Sequence, residues 1–296
     1  LRSIPTLVLY DDRGLDIFDK ITYLDEYYLT NAEIDILTRR ADEIVASGFR
    51  GHSEAIWIEL GVGSMRKSTF IFDAIVKSNR QATYYALDLS EQTLKDCLTL
   101  LASQYPSINF VGLLGTYEDS LGWIRDHLPA DVPRSFLWLG SSIGNMTRRE
   151  AGAFLGKVCR TAMNPGDLFF CGIDRRNAAQ VIAKAYDDSH GVTRDFIMNG
   201  LSHVNAIFGF ACMDPGCFEY LSIYNENEGR HEAYYRSRQS QTIDLRENGK
   251  VQLDEGELIH IEYSYKYAPA EVAGLARVSG FSLQASMTDS RSQYDL

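Results

Sequence analysis

The chain has 296 residues, of which 45% are hydrophobic and 11% aromatic, enough to bury a full core in one or two domains. Its formal charge of −11 and pI near 5.0, with no run of Lys or Arg, set net repulsion against a polyanion, so nucleic acid is not an expected partner. The longest apolar runs, Phe136-Leu137-Trp138-Leu139 and Leu168-Phe169-Phe170-Cys171, are strand-length and fall short of the roughly 20 residues a membrane span needs.

Other counts narrow the setting. Cys97, Cys159, Cys171, Cys212 and Cys217 form an odd set without a C-x-x-C pair, which fits a reducing, cytoplasmic compartment. The six histidines are scattered without metal-ligand spacing, so no metal is expected. The sequence opens at Leu1 with neither an initiator Met nor a basic-then-apolar leader, as a trimmed piece of a protein without a visible secretory signal would. No heptad or exposed apolar stripe stands out, and a monomer is expected.

In chain order, residues 1–46 are helical in pattern, with Thr30 expected to cap a helix over Asn31–Val45. Strands are predicted at Ala55–Leu60, Thr83–Leu87, Asn109–Leu113, Ser135–Leu139 and Asp167–Ile173. Between them, amphipathic helices are predicted at Met65–Ser78, Ser90–Ser103, Glu118–His127 and Arg148–Ala162, with Ser90 and Thr147 as N-caps. Alternating strands and helices indicate an α/β, Rossmann-like core with a parallel sheet. After about residue 217, Phe218–Tyr224, Glu232–Ser240 and Leu258–Tyr267 suggest antiparallel strands, and Asn248-Gly249 favours a tight hairpin turn. The expected division is a core of 47–186 with 267–296, and a second lobe of 1–46 with 187–266.

The first core strand ends in Glu59-Leu60-Gly61-Val62-Gly63 and runs toward a helix, placing glycines where backbone turns tightly against a ligand. Arg66 occupies the third glycine position of G-x-G-x-x-G, which disfavours a nicotinamide or flavin dinucleotide and hence a NAD-linked reductase. The second strand ends in Asp88, where a carboxylate can accept from ribose hydroxyls. Leu114-Gly115-Thr116-Tyr117 follows the third strand, and Leu139-Gly140-Ser141-Ser142-Ile143-Gly144-Asn145 ends the fourth. Together these favour an adenosine-containing ligand.

At these residues the sequence resembles the S-adenosylmethionine-dependent amino-acid α-N-methyltransferases typified by the histidine-methylating enzymes of ergothioneine biosynthesis. The resemblance covers nearly the whole chain. It also rests on Tyr10 with Gly14-Leu15-Asp16-Ile17-Phe18-Asp19, on Glu26-Tyr27-Tyr28-Leu29-Thr30, on Ala185-Tyr186-Asp187-Asp188 and on Glu262-Tyr263-Ser264-Tyr265-Lys266. It implies a class I methyltransferase core with a substrate-binding lobe of N-terminal helices and a late antiparallel sheet, and S-adenosylmethionine as cofactor. Gly61, Gly63, Lys67, Asp88, Gly115, Thr116, Tyr117, Gly140 and Ser141 are then expected to face the cofactor, with Thr116 standing where the family usually has an acid. Tyr27, Asn145 and Tyr186 are expected to hold the amine and carboxylate of an amino-acid substrate, and Tyr10, Phe18, Glu262 and Ser264 to surround its side chain. Tyr10 and Asn145 are the residues expected to serve the reaction.

Two tyrosine hydroxyls and an amide can bind a carboxylate without a competing nucleophile, and methyl transfer to an amine depends mainly on positioning. At Ala233 the histidine-methylating members carry a Met that walls the imidazole. The shorter side chain favours a larger aromatic group by about 1–3 kcal/mol, and the wording of residues 21–33 looks like the fungal branch that methylates prenylated tryptophan. The first expected substrate is therefore 4-dimethylallyltryptophan of ergot-alkaloid assembly, with histidine or tryptophan as alternatives. The alternative of another class is an adenosine-ligand binding module that does not turn over.

Overall fold

The computed structural model describes residues 2–63 and 65–296. In chain order its elements begin with α1 (Asp12–Ile21) and α2 (Tyr28–Phe49). The alternating run follows: β1 (Glu54–Leu60), α3 (Thr69–Ser78), β2 (Gln81–Asp88), α4 (Glu91–Gln104), β3 (Ile108–Leu114), α5 (Tyr117–His127), β4 (Arg134–Trp138), α6 (Arg148–Ala162) and β5 (Leu168–Cys171). After α7 (Ala179–Tyr186) and α8 (Val192–Phe208) come β6 (Phe218–Asn225), β7 (Arg230–Ser237), β8 (Gln241–Asp244), β9 (Lys250–Leu253), β10 (Leu258–Tyr265) and α9 (Pro269–Ser279). Among the described residues, no helix is long and apolar enough to cross a membrane.

The chain divides into two compact units, Asn31–Arg175 with Tyr267–Leu296, and the residues up to Thr30 with Arg176–Lys266. The divisions expected after 46 and 186 therefore move. From Asn31 onward, α2 belongs to the first unit, where Ile36, Leu37, Ile44 and Phe49 are fully buried and Phe49 meets Trp57 edge-on at 6.3 Å. The α7 segment belongs to the second, where Tyr186 stacks on His231.

In the first unit, five parallel strands run in the order β3-β2-β1-β4-β5. Ala55 to Leu60 are all buried, as a central strand covered on both faces requires. Strand order reverses between β1 and β4, so the loops leaving them diverge and a crevice opens at their carboxyl ends. Ser90 and Thr147 cap α4 and α6, accepting from Thr93 N and Glu150 N at 3.2 Å.

The second unit holds a four-stranded sheet ordered Arg2–Ser3, β10, β7, β6. Register puts Ser222, Ala233 and Glu262 in one row and Tyr224, His231 and Ser264 in the next. The pairing of β10 shifts between His260 and Glu262. Such a bulge inserts one residue and swaps the face of everything beyond it. Alternation alone would aim the tyrosines of Glu262-Tyr263-Ser264-Tyr265-Lys266 inward. The bulge at Ile261 aims Glu262, Ser264 and Lys266 there instead, and they are 7%, 4% and 0% exposed.

Four local expectations change. Thr30 is the third residue of α2 rather than its cap, because Tyr28 and Leu29 are buried and tertiary packing outweighs the capping preference. Helix α3 starts at Thr69, not Met65, because Met65 takes φ +54°, which leaves Lys67 in the loop. Asn248-Gly249 closes a five-residue loop between Asp244 and Lys250, with the positive φ at Arg246 and Gly249, instead of a two-residue turn. Helix α8 has no counterpart among the expected elements. Its entry residue is Gly191 in the left-handed conformation, and its cap comes from upstream: the buried Asp188 accepts from His190 N, Val192 N and Thr193 N at 3.0, 3.1 and 2.7 Å.

Although burial raises the Asp188 carboxyl, those amide bonds hold it below its ordinary value. Asp188→Ala should cost about 1–2 kcal/mol, measured by urea unfolding near neutral pH. A carboxyl lowered by folding stabilises above its unfolded value and loses that contribution as pH falls through the folded one. The gap between the two proteins should therefore narrow below about pH 4.

Candidate active site

The rim of the first unit is built from strand ends. After β1, Gly61 turns with φ +72° and Gly63 with φ +52°; no atom lies within 4 Å of where a Gly63 Cβ would stand. A Cβ on Gly61 would lie 2.5 Å from Tyr117 Oη, so the tyrosine packs directly on the turn. After β4, Gly140 takes φ +77°. Asp88 closes β2 half-buried and accepts from Gly63 N at 3.4 Å and Ser90 N at 3.1 Å, which aims its carboxylate at the glycine turn. Asn145 ends the single turn Ser142–Asn145 and is exposed.

Two rim residues have structural work as well. The Thr116 hydroxyl caps α5, accepting from Asp119 N at 3.2 Å and donating to its carboxylate at 2.6 Å. The Ser141 hydroxyl accepts from Asp174 N at 3.0 Å on a buried side chain, a contact that anchors the turn. Gly115, at φ +156°, leads into the Thr116 cap.

Sequence reasoning missed Glu33 on α2. It is fully buried, and its carboxylate pairs with Lys67 Nζ at 2.5 Å, accepts Gly140 N at 3.0 Å and accepts Tyr294 Oη at 2.9 Å. One acid thus ties the loop after β1, the loop after β4 and the C-terminal strand. A Cβ on Gly172 would stand 2.1 Å from Glu33 Oε1 and 2.4 Å from Tyr294 Oη, so only glycine fits beside the knot. Below the rim, Glu59 is buried and raised to about 8, first by burial, against the lowering effect of Ser68 and Lys67. Its Oε2 accepts from Ser68 and Tyr84.

The second unit gathers Tyr10, Phe18, Tyr27, Tyr186, Glu262 and Ser264 into one aromatic-walled cluster. Tyr10 meets Phe18 and Phe196 edge-on at 5.9 and 5.5 Å. Phe18 meets Tyr27 at 6.4 Å, and Tyr27 meets Tyr186 at 6.1 Å. Tyr10 Oη donates to Glu262 Oε1 at 3.4 Å. Burial pushes Glu262 up to about 7, opposed by the Tyr10 bond and the Lys266 charge. Tyr186 Oη and Ser264 Oγ are 2.7 Å apart. Ala233 lies between Ser222 and Glu262 in the sheet and has no exposed surface.

A parallel sheet of this strand order, with glycine turns ending β1 and β4 and Asp88 ending β2, defines a Rossmann-like methyltransferase core. The open turn at Gly63 and the half-exposed acid beside it fit an adenosyl group, the ligand such cores take as S-adenosylmethionine. The chain belongs to the histidine-specific, SAM-dependent methyltransferase family, which it matches over residues 1–296. Similar proteins include Ergothioneine biosynthesis protein 1 of Neurospora crassa, 38% identical over 94% of this chain and 32% of its own. N-methyltransferase imqF of Aspergillus flavus is 30% identical over 99% of this chain and 79% of its own, and Histidine N-alpha-methyltransferase of Mycolicibacterium smegmatis is 31% identical over 100% and 89%. The chain spans about a third of the Neurospora protein's length.

Glu33→Ala should leave Lys67 without its carboxylate and the Gly140 amide without its acceptor. A destabilisation of about 3 kcal/mol is expected, read by thermal unfolding. Calorimetry should show S-adenosylhomocysteine binding weakened by roughly tenfold or more, since about 1.4 kcal/mol corresponds to one decade.

Proposed function

We propose that the chain methylates the α-amine of an aromatic amino acid, with histidine the side chain the site fits best. The observation that carries this is the inward pair Glu262 and Ser264, a carboxyl and a hydroxyl buried within an aromatic wall. An imidazole has an N–H to donate and a ring nitrogen to accept, and this pair answers both. The smallness of Ala233 favours a second substrate, 4-dimethylallyltryptophan, whose indole N–H would use the same acceptor. Against it, Ala233 is completely covered, so its short side chain opens no accessible volume. The name of the Mycolicibacterium relative also supports histidine.

S-adenosylmethionine supplies an electrophilic sulfonium methyl. Gly61, Gly63, Asp88, Gly115, Tyr117 and Gly140 would hold it, with Lys67 fixed beside the Gly140 turn by Glu33. Tyr27 and Tyr186 would hold the carboxylate and amine of the substrate. Tyr10 acts on Glu262, keeping one carboxyl oxygen turned toward its own hydroxyl. The amine must be neutral to attack, and positioning it supplies most of the rate. No strong base is required.

Offered S-adenosylmethionine with histidine, tryptophan or 4-dimethylallyltryptophan, the protein should add methyl mass to histidine. Mass gain on the prenylated substrate alone would select the second reading, and binding without mass gain on any would leave a non-catalytic module. Because Glu262 titrates near 7 and only its ionised form accepts a ring N–H with both oxygens, kcat/KM should rise as pH passes upward through about 7. Glu262→Gln should remove that inflection and lower kcat/KM by roughly 10- to 100-fold, the worth of one charge-assisted hydrogen bond.

A further inference from the structure

Tyr186 is the last residue of α7, where the helix carbonyls have no partner within the helix. Tyr220 on β6 supplies one: its Oη donates to Tyr186 O at 2.6 Å. That bond fixes the backbone but not the torsions of the side chain. The ring is held separately by His231 on β7, which stacks on it with centroids 4.2 Å apart and planes inclined by 15°. His231 is fully buried and held neutral, by burial first and then by the Lys266 charge. Its Nε2 lies 2.8 Å from Ser222 Oγ, one row away on the same face of the sheet. Its Nδ1 has no hydrogen-bond partner among the described residues.

Resting on the proposed amino-acid substrate, we propose that His231 is a positioning residue for Tyr186. Anchored by Ser222, its imidazole sets the plane of the phenol ring and hence the place from which the hydroxyl meets the substrate. Oη stands at the far end of that ring, so a small turn about the side-chain bonds displaces it most, and a misplacement of about 1 Å can cost roughly a hundredfold in rate. A flat neighbour opposes the turn, because tilting either ring separates the two faces. The neighbour must itself be held. A buried N–H without an acceptor is destabilising, so the ring proton belongs on Nε2, where the Ser222 oxygen accepts it, and Nδ1 carries the lone pair. Packing alone is served better by Phe, which offers a similar face with no buried polar atom to satisfy. What the imidazole adds is the Ser222 bond, which fixes the platform on the sheet and through it the phenol.

The test measures, in the wild type, His231→Phe, Ser222→Ala, Tyr186→Phe and the doubles with Tyr186→Phe, the calorimetric affinity for histidine with S-adenosylhomocysteine bound, and kcat/KM for its methylation. Tryptophan or 4-dimethylallyltryptophan takes the place of histidine if the wild type methylates one of those instead. His231→Phe should keep the melting temperature and S-adenosylhomocysteine binding of the wild type, yet lower substrate affinity and kcat/KM by roughly tenfold. Ser222→Ala should lower both by a smaller factor, and it carries the test if His231→Phe does not fold. With Tyr186→Phe already present there is no hydroxyl to aim, and the same change should cost less than about twofold, the mark of residues acting through one contact. A merely structural residue would cost the same factor in both backgrounds. The proposal is overturned by a folded His231→Phe, or failing that a folded Ser222→Ala, that binds and turns over substrate as the wild type does. It is overturned equally by a loss of the same size with and without the Tyr186 hydroxyl, or by both variants losing melting temperature and S-adenosylhomocysteine binding. Methylation of none of the three substrates removes the amino-acid reading itself, and this proposal with it.

Discussion

A carboxylate taken fully out of water costs several kcal/mol unless donors surround it, and the first unit is organised around one such group. Glu33 receives the Lys67 ammonium, the Gly140 amide and the Tyr294 hydroxyl. None of these donors is local in the chain. Satisfying a single acid therefore fixes the turn after β1, the turn after β4 and the C-terminal strand at once. Tyr294 and Asp295 pair with Ile173 and Asp174 just beyond β5, and Asp174 N is bonded in turn to the Ser141 hydroxyl. The crevice that strand order opens is thus held to a particular shape by a chain of buried polar contacts running from Lys67 to the C-terminus.

In the second unit the comparable constraint is the extra residue at Ile261. Inserting it changes which side of β10 faces Ala233 and His231, so polar side chains point into the cluster. Displaced to the other face, Tyr263 and Tyr265 are covered by Arg230, whose guanidinium stands 4.1 and 5.3 Å from their ring centroids. Arg230 also pairs with Glu232 at 2.7 Å. That face is therefore tied down by cation–π and ionic contacts, and the inner face is free to carry chemistry.

How far the sequence discloses this follows from the range of the interactions. Core strands, the caps Ser90 and Thr147, the glycine turns and Asp88 are local patterns, and they stand in the structure close to where periodicity puts them. Glu33 looks like any helical acid, because its partners are 34, 107 and 261 residues away. Helix α8 was hidden by interior Asn199 and Gly200, weak helix formers. Gly200 is there because Tyr235 Oη would stand 2.5 Å from any Cβ, and that hydroxyl donates to Ile197 O at 2.5 Å. A bulge such as that at Ile261 leaves no composition signal, so the facing of Glu262 depends on tertiary register.

The buried histidine of the second unit is unsuited to serve as a base, for a physical reason. His231 is the residue type that would ordinarily serve, but it lies against Tyr186, bonds Ser222 and has no exposed surface. Charging it would place a second cation beside Lys266. Glu262 is raised to about 7, by burial first, and one of its oxygens accepts the Tyr10 hydroxyl. Transfer of a methyl from a sulfonium to a neutral amine relocates one positive charge and creates none, so the surroundings need only hold that amine neutral and aligned.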